Sequence, residues 1–200
     1  MDSITDRPRL PAFEKFIQEL RTIWAEQPDD ESRMKAAKAV MERDVLTSAE
    51  LREHAKKWPS TEGRKNLLFY EDPDYGFIIN GVVREPNRTG SVHDHADAWV
   101  LYGLLEGTET LERFERVDDR SRENYAEVRL TSASQGQAGK SDLVPPYDIH
   151  AEQGGPGRSV AVILRSAVLV GRVLQGRYDR DTNEYSTGPG PDQIPYELTA

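Results

Sequence analysis

Two histidines one residue apart, His93-Asp94-His95, carry the most direct chemistry in this 200-residue chain. On an extended segment, residues i and i+2 project from the same face, a few ångströms apart, so two imidazoles there can grip one cation. A third histidine, His150, follows Pro145-Pro146-Tyr147-Asp148-Ile149. If a strand return brings it to the same face, three neutral nitrogens with open coordination positions suit a catalytic divalent metal. The His-x-His pair alone is equally compatible with an accidental surface pair, and it is His150 that tips the reading towards a metal. Asp148, two residues before His150, either orients a ligand imidazole or shapes the turn. His54 lies among Arg52, Glu53, Lys56 and Lys57 and reads as solvated surface.

Composition narrows the partners. Lys plus Arg total 26 and Asp plus Glu 35, a net charge of −9. That balance argues against nucleic-acid binding, which needs a basic face to displace counterions, and against docking on anionic lipid. The chain has no Cys, which excludes disulfides, thiolate metal sites and cysteine nucleophiles. No apolar run approaches the roughly 20 residues needed to span a bilayer. The charged N-terminus lacks an apolar signal core, so the expected location is cytoplasmic.

The elements that must position the histidines change character near residue 60. Before it, Phe13, Phe16, Ile17, Leu20, Ile23 and Trp24 recur at three- and four-residue spacing, which predicts an amphipathic helix. A second helix is expected over 29–43. A third is expected from a Thr47 or Ser48 cap to Trp58, with Pro59 ending it. These helices are read as packing onto the rest of the fold, with partner binding the alternative. After residue 60, short runs at 66–71, 77–84, 98–106, 108–117, 125–132, 159–166 and 167–177 alternate or are apolar. Turn residues separate them, the pattern of a sandwich or barrel. The expected division is a helical subdomain over 1–62, a barrel over 63–178, and a polar tail or strap over 179–200.

Gly90-Ser91-Val92-His93-Asp94-His95, followed by Val100 to Gly107, resembles the first motif of the cupin superfamily, and Pro145 to His150 resembles the second. Within the superfamily, Ser91 to Glu115 (SVHDHADAWVLYGLLEGTETLERFE) is similar to the cysteine-dioxygenase-like thiol dioxygenases. The resemblance implies an all-β double-stranded β-helix barrel behind an N-terminal α-helical subdomain. It also implies a metal held by His93, His95 and His150. Fe(II) comes first, with Zn, Mn or Ni as alternatives. The implied activity is a non-heme dioxygenase acting on a small anionic substrate with dioxygen. Some departures qualify it. Trp99 or Val100 occupies the usual cupin glutamate position, and Tyr147 stands where the second motif has glycine. The Ser-x-His-x-Tyr run of the thiol dioxygenases is absent from Val160 to Ser166, and their cysteine–tyrosine cross-link is impossible. Their carboxylate-clamping arginine is missing from the early strand at Phe69-Tyr70-Glu71. Oxidation of cysteine itself is therefore not expected.

The remaining candidates are Arg84, Arg165, Tyr70, Trp99 and Tyr102. Arg165, within an apolar strand, must meet a carboxylate from the protein or a ligand, because an unpaired buried charge is costly. It or Arg84 would neutralise a substrate carboxylate, although Arg84 precedes a turn and also reads as surface. Tyr102 or Tyr70 would donate a proton. Trp99 and Tyr102 read as core packing or as a substrate wall, and their alternation lets only one face the cavity. Two other classes remain: a non-redox isomerase or lyase using Zn, Mn or Ni, and a ligand-binding cupin without turnover. By analogy with cupins, a homodimer is expected.

Overall fold

A computed structural model of the chain describes residues 9–168 and 174–199. Helix α1 (Pro11–Glu26) starts on Pro11 and buries Phe13, Phe16, Ile17, Leu20 and Trp24 along one stripe, as the spacing predicts. Helix α2 (Asp30–Val40) is capped by Asp29, whose carboxylate accepts the Ser32 amide at 2.8 Å. A π-turn (Met41–Val45) follows. Helix α3 (Ala49–Ala55) opens where Ser48 Oγ accepts the Leu51 amide. It ends short of Trp58, whose indole instead donates to His54 Nδ1 at 3.0 Å. His54 is thus half-buried and partnered, not the solvated side chain its charged neighbours suggest.

Among the described residues, twelve strands follow: β1 (Lys65–Glu71), β2 (Ile78–Arg84), β3 (Val92–His93), β4 (Val100–Glu106), β5 (Thr108–Arg116), β6 (Val128–Gln137), β7 (Ser141–Val144), β8 (Ile149–Gly154), β9 (Ser159–Arg165), β10 (Gln175–Tyr178), β11 (Tyr185–Gly188) and β12 (Asp192–Pro195). They form two six-stranded sheets, ordered β12-β1-β2-β9-β4-β7 and β11-β10-β3-β8-β5-β6. Every pairing is antiparallel except β1 with β12. From β2 to β5 and from β6 to β10 the chain crosses to the other sheet at every step, whereas β1–β2, β5–β6 and β10–β11 each stay within one sheet; the fold is a double-stranded β-helix, or cupin, barrel behind a small N-terminal helical layer. The strand expected over 167–177 lies partly outside the described residues. The polar segment after Asp179 is ordered into β11 and β12, which belong to opposite sheets, so it straps one side of the barrel.

Side-chain alternation divides the first sheet between two cores. Leu101 and Leu105 of β4 and Val160, Val162 and Leu164 of β9 pack against Phe13, Phe16, Leu20, Met34, Met41 and Leu46 of the helical layer. The intervening Val100, Tyr102 and Leu104, with Ala161 and Ile163, face the barrel interior. With both faces covered, β2, β4 and β9 read as nearly continuous apolar runs. Among the described residues, no helix is long and apolar enough to cross a membrane.

Candidate metal centre and anion pocket

His93 and His150 are directly opposed partners on the neighbouring strands β3 and β8. His95 lies just past the end of β3, where the Asp94 amide donates to the Gly176 carbonyl of β10. The three ring centroids are 4.5–4.8 Å apart, and one ligand nitrogen from each ring falls within 4.8 Å of the others. Gly90 makes the approach possible: a Cβ there would sit 2.1 Å from the Glu152 carbonyl oxygen. Tyr147 holds φ +60°, a left-handed conformation that favours glycine, and its amide donates to the Ala96 carbonyl at 2.7 Å. The glycine of the second motif is therefore replaced at a position whose backbone still adopts glycine-like geometry.

Hydrogen bonding sets the ring tautomers. His93 Nδ1 lies 3.0 Å from the Ser91 carbonyl and His150 Nδ1 2.8 Å from the Asp148 carbonyl. A carbonyl oxygen only accepts, so both Nδ1 atoms carry the proton and each neutral ring keeps its lone pair on Nε2. It is the main chain of Asp148 that orients His150; its carboxylate pairs with Arg113 at 2.7 Å. His95 Nδ1 contacts the Gln175 side-chain amide at 2.6 Å. As placed, the amide nitrogen faces the ring; rotating the amide turns its oxygen to an Nδ1–H and frees His95 Nε2 in the same way. Burial holds His93 down to about 4, with the neighbouring His150 adding to the effect. Burial and the charge of His93 hold His95 well below its ordinary value.

A metal fits this donor set. Imidazole nitrogens bind first-row divalent ions, and His150 Nε2 is buried with no hydrogen-bond partner. Glu152 Oε1 lies 3.5 Å from that nitrogen. Burial alone would raise the Glu152 carboxyl, but His150, His93 and Arg84 hold it well below the usual carboxylate range. The histidines therefore do not stand alone: a carboxylate adjoins them from β8, whereas the usual cupin glutamate position holds Trp99 or Val100, which cannot coordinate. The repeat of spacing, His93-x-His95 and His150-x-Glu152, was the available signal.

Of the other expected site residues, the structure gathers three and separates two. Arg84, Tyr102 and Arg165 line the same cavity of about 100 Å³ as His93, His95 and Glu152. Arg84 lies 3.3 Å from Glu152 and 3.5 Å from Glu109 and donates to Tyr102 Oη at 3.2 Å, so it is neither free nor a surface side chain. Tyr102 commits its proton to Glu109 at 2.8 Å, and Ser159 Oγ donates to the other oxygen of that carboxylate. Glu109 is almost fully buried, and burial raises its carboxyl against the opposing pull of Arg84. Nothing in the pattern of β5 marks it out. Tyr70 and Trp99 do not reach the cavity. Both pack against the helical-layer core because they fall on the outer face of the first sheet, and Tyr70 Oη donates to Asp72 at 2.9 Å.

Arg165 is 3% exposed. It donates to the Asn80 amide oxygen, and a rotated Asn66 amide accepts from Nη2 at 3.0 Å. Its Nε has no partner, and among the described residues it makes no ion pair. Burial lowers it to about 10, against the pull of Glu152. Of the two partners expected for Arg165, a protein carboxylate within ion-pair distance is not found among the described residues.

No protein-family model matches the chain, and no curated protein matches it. Among solved structures, a double-stranded β-helix protein from Klebsiella pneumoniae is similar over 55% of this chain and 78% of its own (12% identity, TM-score 0.41). The Schizosaccharomyces pombe Cnp3 cupin domain is similar over 52% and 60% (8% identity, TM-score 0.41). An oxalate oxidase in complex with the substrate analogue glycolate is similar over 61% and 59% (18% identity, TM-score 0.43).

Proposed function

We propose that the protein is a metal-dependent oxidoreductase of the cupin type, a non-heme Fe(II) dioxygenase of a small carboxylate anion. The observation that carries this reading is a cluster of three imidazoles, two of which, His93 and His95, line one small cavity together with a buried arginine that makes no ion pair among the described residues. His93, His95 and His150 would hold the ion through Nε2, with Glu152 beside them. Bound there, the ion supplies Lewis acidity and, as iron, redox exchange with dioxygen.

The chain's own residues do the rest. Arg165 meets the substrate carboxylate with its free Nε and orients it towards the imidazoles. Tyr102 and Arg84 form a polar wall of the cavity, fixed from behind by Glu109, which Ser159 also bonds, so that its hydrogen bonds need no rearrangement when the anion arrives. Val100 and Ile163 line the same cavity with apolar surface, which limits water around the reacting group.

The test is elemental analysis of protein purified without chelators, beside His93→Ala and His150→Ala variants. The expected result is about one equivalent of divalent metal in the parent and a loss of most of it in each variant. Equal metal content in all three would sink the proposal. Because Glu152 offers a carboxylate base beside the centre, a non-redox isomerase or lyase using Zn, Mn or Ni is the second reading. Fe(II)-dependent oxygen uptake on adding a small carboxylic acid separates the two.

A further inference from the structure

The cavity lined by His93 and His95 is cationic out of proportion to the chain. Six Lys and Arg side chains line it (Arg64, Lys65, Arg84, Arg88, Arg165 and Arg177) against the single carboxylate of Glu152, in a protein of net charge −9. Two of the six are neutralised: Arg84 by Glu152 and Glu109, and Arg88 by Glu62 at 2.8 Å. The other four make no ion pair among the described residues. They fall into two groups. Arg165 lies at depth, buried. Arg64, Lys65 and Arg177 lie towards the rim, where Arg64 and Lys65 are exposed and Arg177 is half-buried.

The rim group is built, not scattered. Arg64 Nη2 donates to the Pro189 carbonyl at 2.9 Å, and Arg177 Nη2 donates to the same oxygen. Two guanidinium groups therefore converge on one neutral acceptor with no counter-charge between them. Burial and the charge of Arg64 lower Arg177. Gly188 lets the Arg177 guanidinium lie against the chain, since a Cβ there would come within 2.8 Å of Nη2. Holding like charges together costs energy that a bound anion returns.

We infer that the substrate is a dianion, with one carboxylate at Arg165 beside the imidazoles and a second anionic group, carboxylate or phosphate, between Arg64, Lys65 and Arg177 at the rim. This rests on the metal-site reading for the role of the inner end; the outer end rests on the arginines alone. A second anionic group held among the rim cations is attracted to them even in solvent, and is expected to tighten binding about tenfold.

The experiment is calorimetric titration of the full-length, metal-loaded protein. Probes are the straight-chain dicarboxylates from oxalate to adipate, 2-phosphoglycolate, and the monocarboxylates of matching chain length. At least one dianion is expected to bind about tenfold more tightly than its matched monocarboxylate. An Arg64→Gln/Arg177→Gln variant should lose that advantage while keeping the parent's metal content. Arg165→Gln should weaken mono- and dianions alike. Comparison of 2-phosphoglycolate with malonate tells whether the rim takes a phosphate or a carboxylate. Equal affinities for mono- and dianions, no binding of any dianion, or an advantage that survives in the double variant would overturn the inference. Repeating the titration with His93→Ala separates the two readings: loss of metal with the rim's dianion preference intact would remove only the metal reading. A metal-loaded protein without the preference removes only this one.

Discussion

Among the described residues, the Nδ1 atom of His95 is met by a side chain, that of Gln175, whereas those of His93 and His150 are held by main-chain carbonyls. A Gln175→Met replacement keeps the volume and removes the partner of His95 Nδ1. It is expected to weaken divalent-metal affinity about 10- to 100-fold, read by competition with a chromophoric chelator, with the far-ultraviolet spectrum unchanged. At this scale the sequence was informative where a rule linked spacing to geometry. His93 and His95 share a face because strands alternate, and the same rule reaches Glu152 from His150. It was silent where partners come from remote strands. Gln175 meets His95, Glu109 meets Tyr102 and Asn80 meets Arg165 across distances in sequence that no local pattern encodes. The parity that places Tyr102 inside the barrel and Trp99 outside was legible, but which parity faced inward was not, since helices cover one face and the facing sheet the other.

The short strand β3 depends on a close approach of main chains. Gly90 abuts the Glu152 carbonyl of β8, so a methyl group there must push β3 from β8 and part His93 from His150. Gly90→Ala is expected to cost about 1–3 kcal/mol in stability, measured by urea denaturation, and to lower metal content as well. A stability loss with metal content unchanged would show that the strand shifts without disturbing the pair. Helix α1 and the longer strands follow from periodicity and caps, and Ser48 caps α3 as its side chain predicts. Strands β3, β7, β8, β11 and β12 fall outside the runs predicted as strands because they are short and stabilised by partners more than by their own composition. The segments of β7, β11 and β12 read as turns and tail until β4, β10 and β1 are present to receive them.

Across the whole molecule the helical layer and the barrel share one core and are pinned at their rim by Glu42. Its carboxylate accepts from the Ser141 amide at 3.0 Å, from Ser141 Oγ at 2.9 Å and from Lys38 at 2.5 Å. Burial opposes ionisation, but these donors win and hold Glu42 down to about 2 from an ordinary 4.5. A folded-state value below the unfolded one means stability that is fully present above about pH 4.5 and lost as the pH falls towards 2. With partial exposure discounted, this contribution is on the order of 1–2 kcal/mol. Glu42→Gln is expected to lower stability at pH 7 by that amount and to flatten its acid dependence between pH 5 and pH 2, measured by denaturant titration across that range. Parallel slopes in parent and variant would dismiss the role.

Strand β12 lies parallel to β1, with Asp192 opposite Lys65, and Pro189, just ahead of it, is the acceptor for Arg64 and Arg177. The mouth of the cavity is thus bounded by segments made at widely separated times on the ribosome. While β12 is still in the exit tunnel, β1 presents a bare edge and Arg64 has no acceptor. A nascent chain that already contains all three histidines therefore lacks a finished entrance until β12 has left the tunnel and docked on β1.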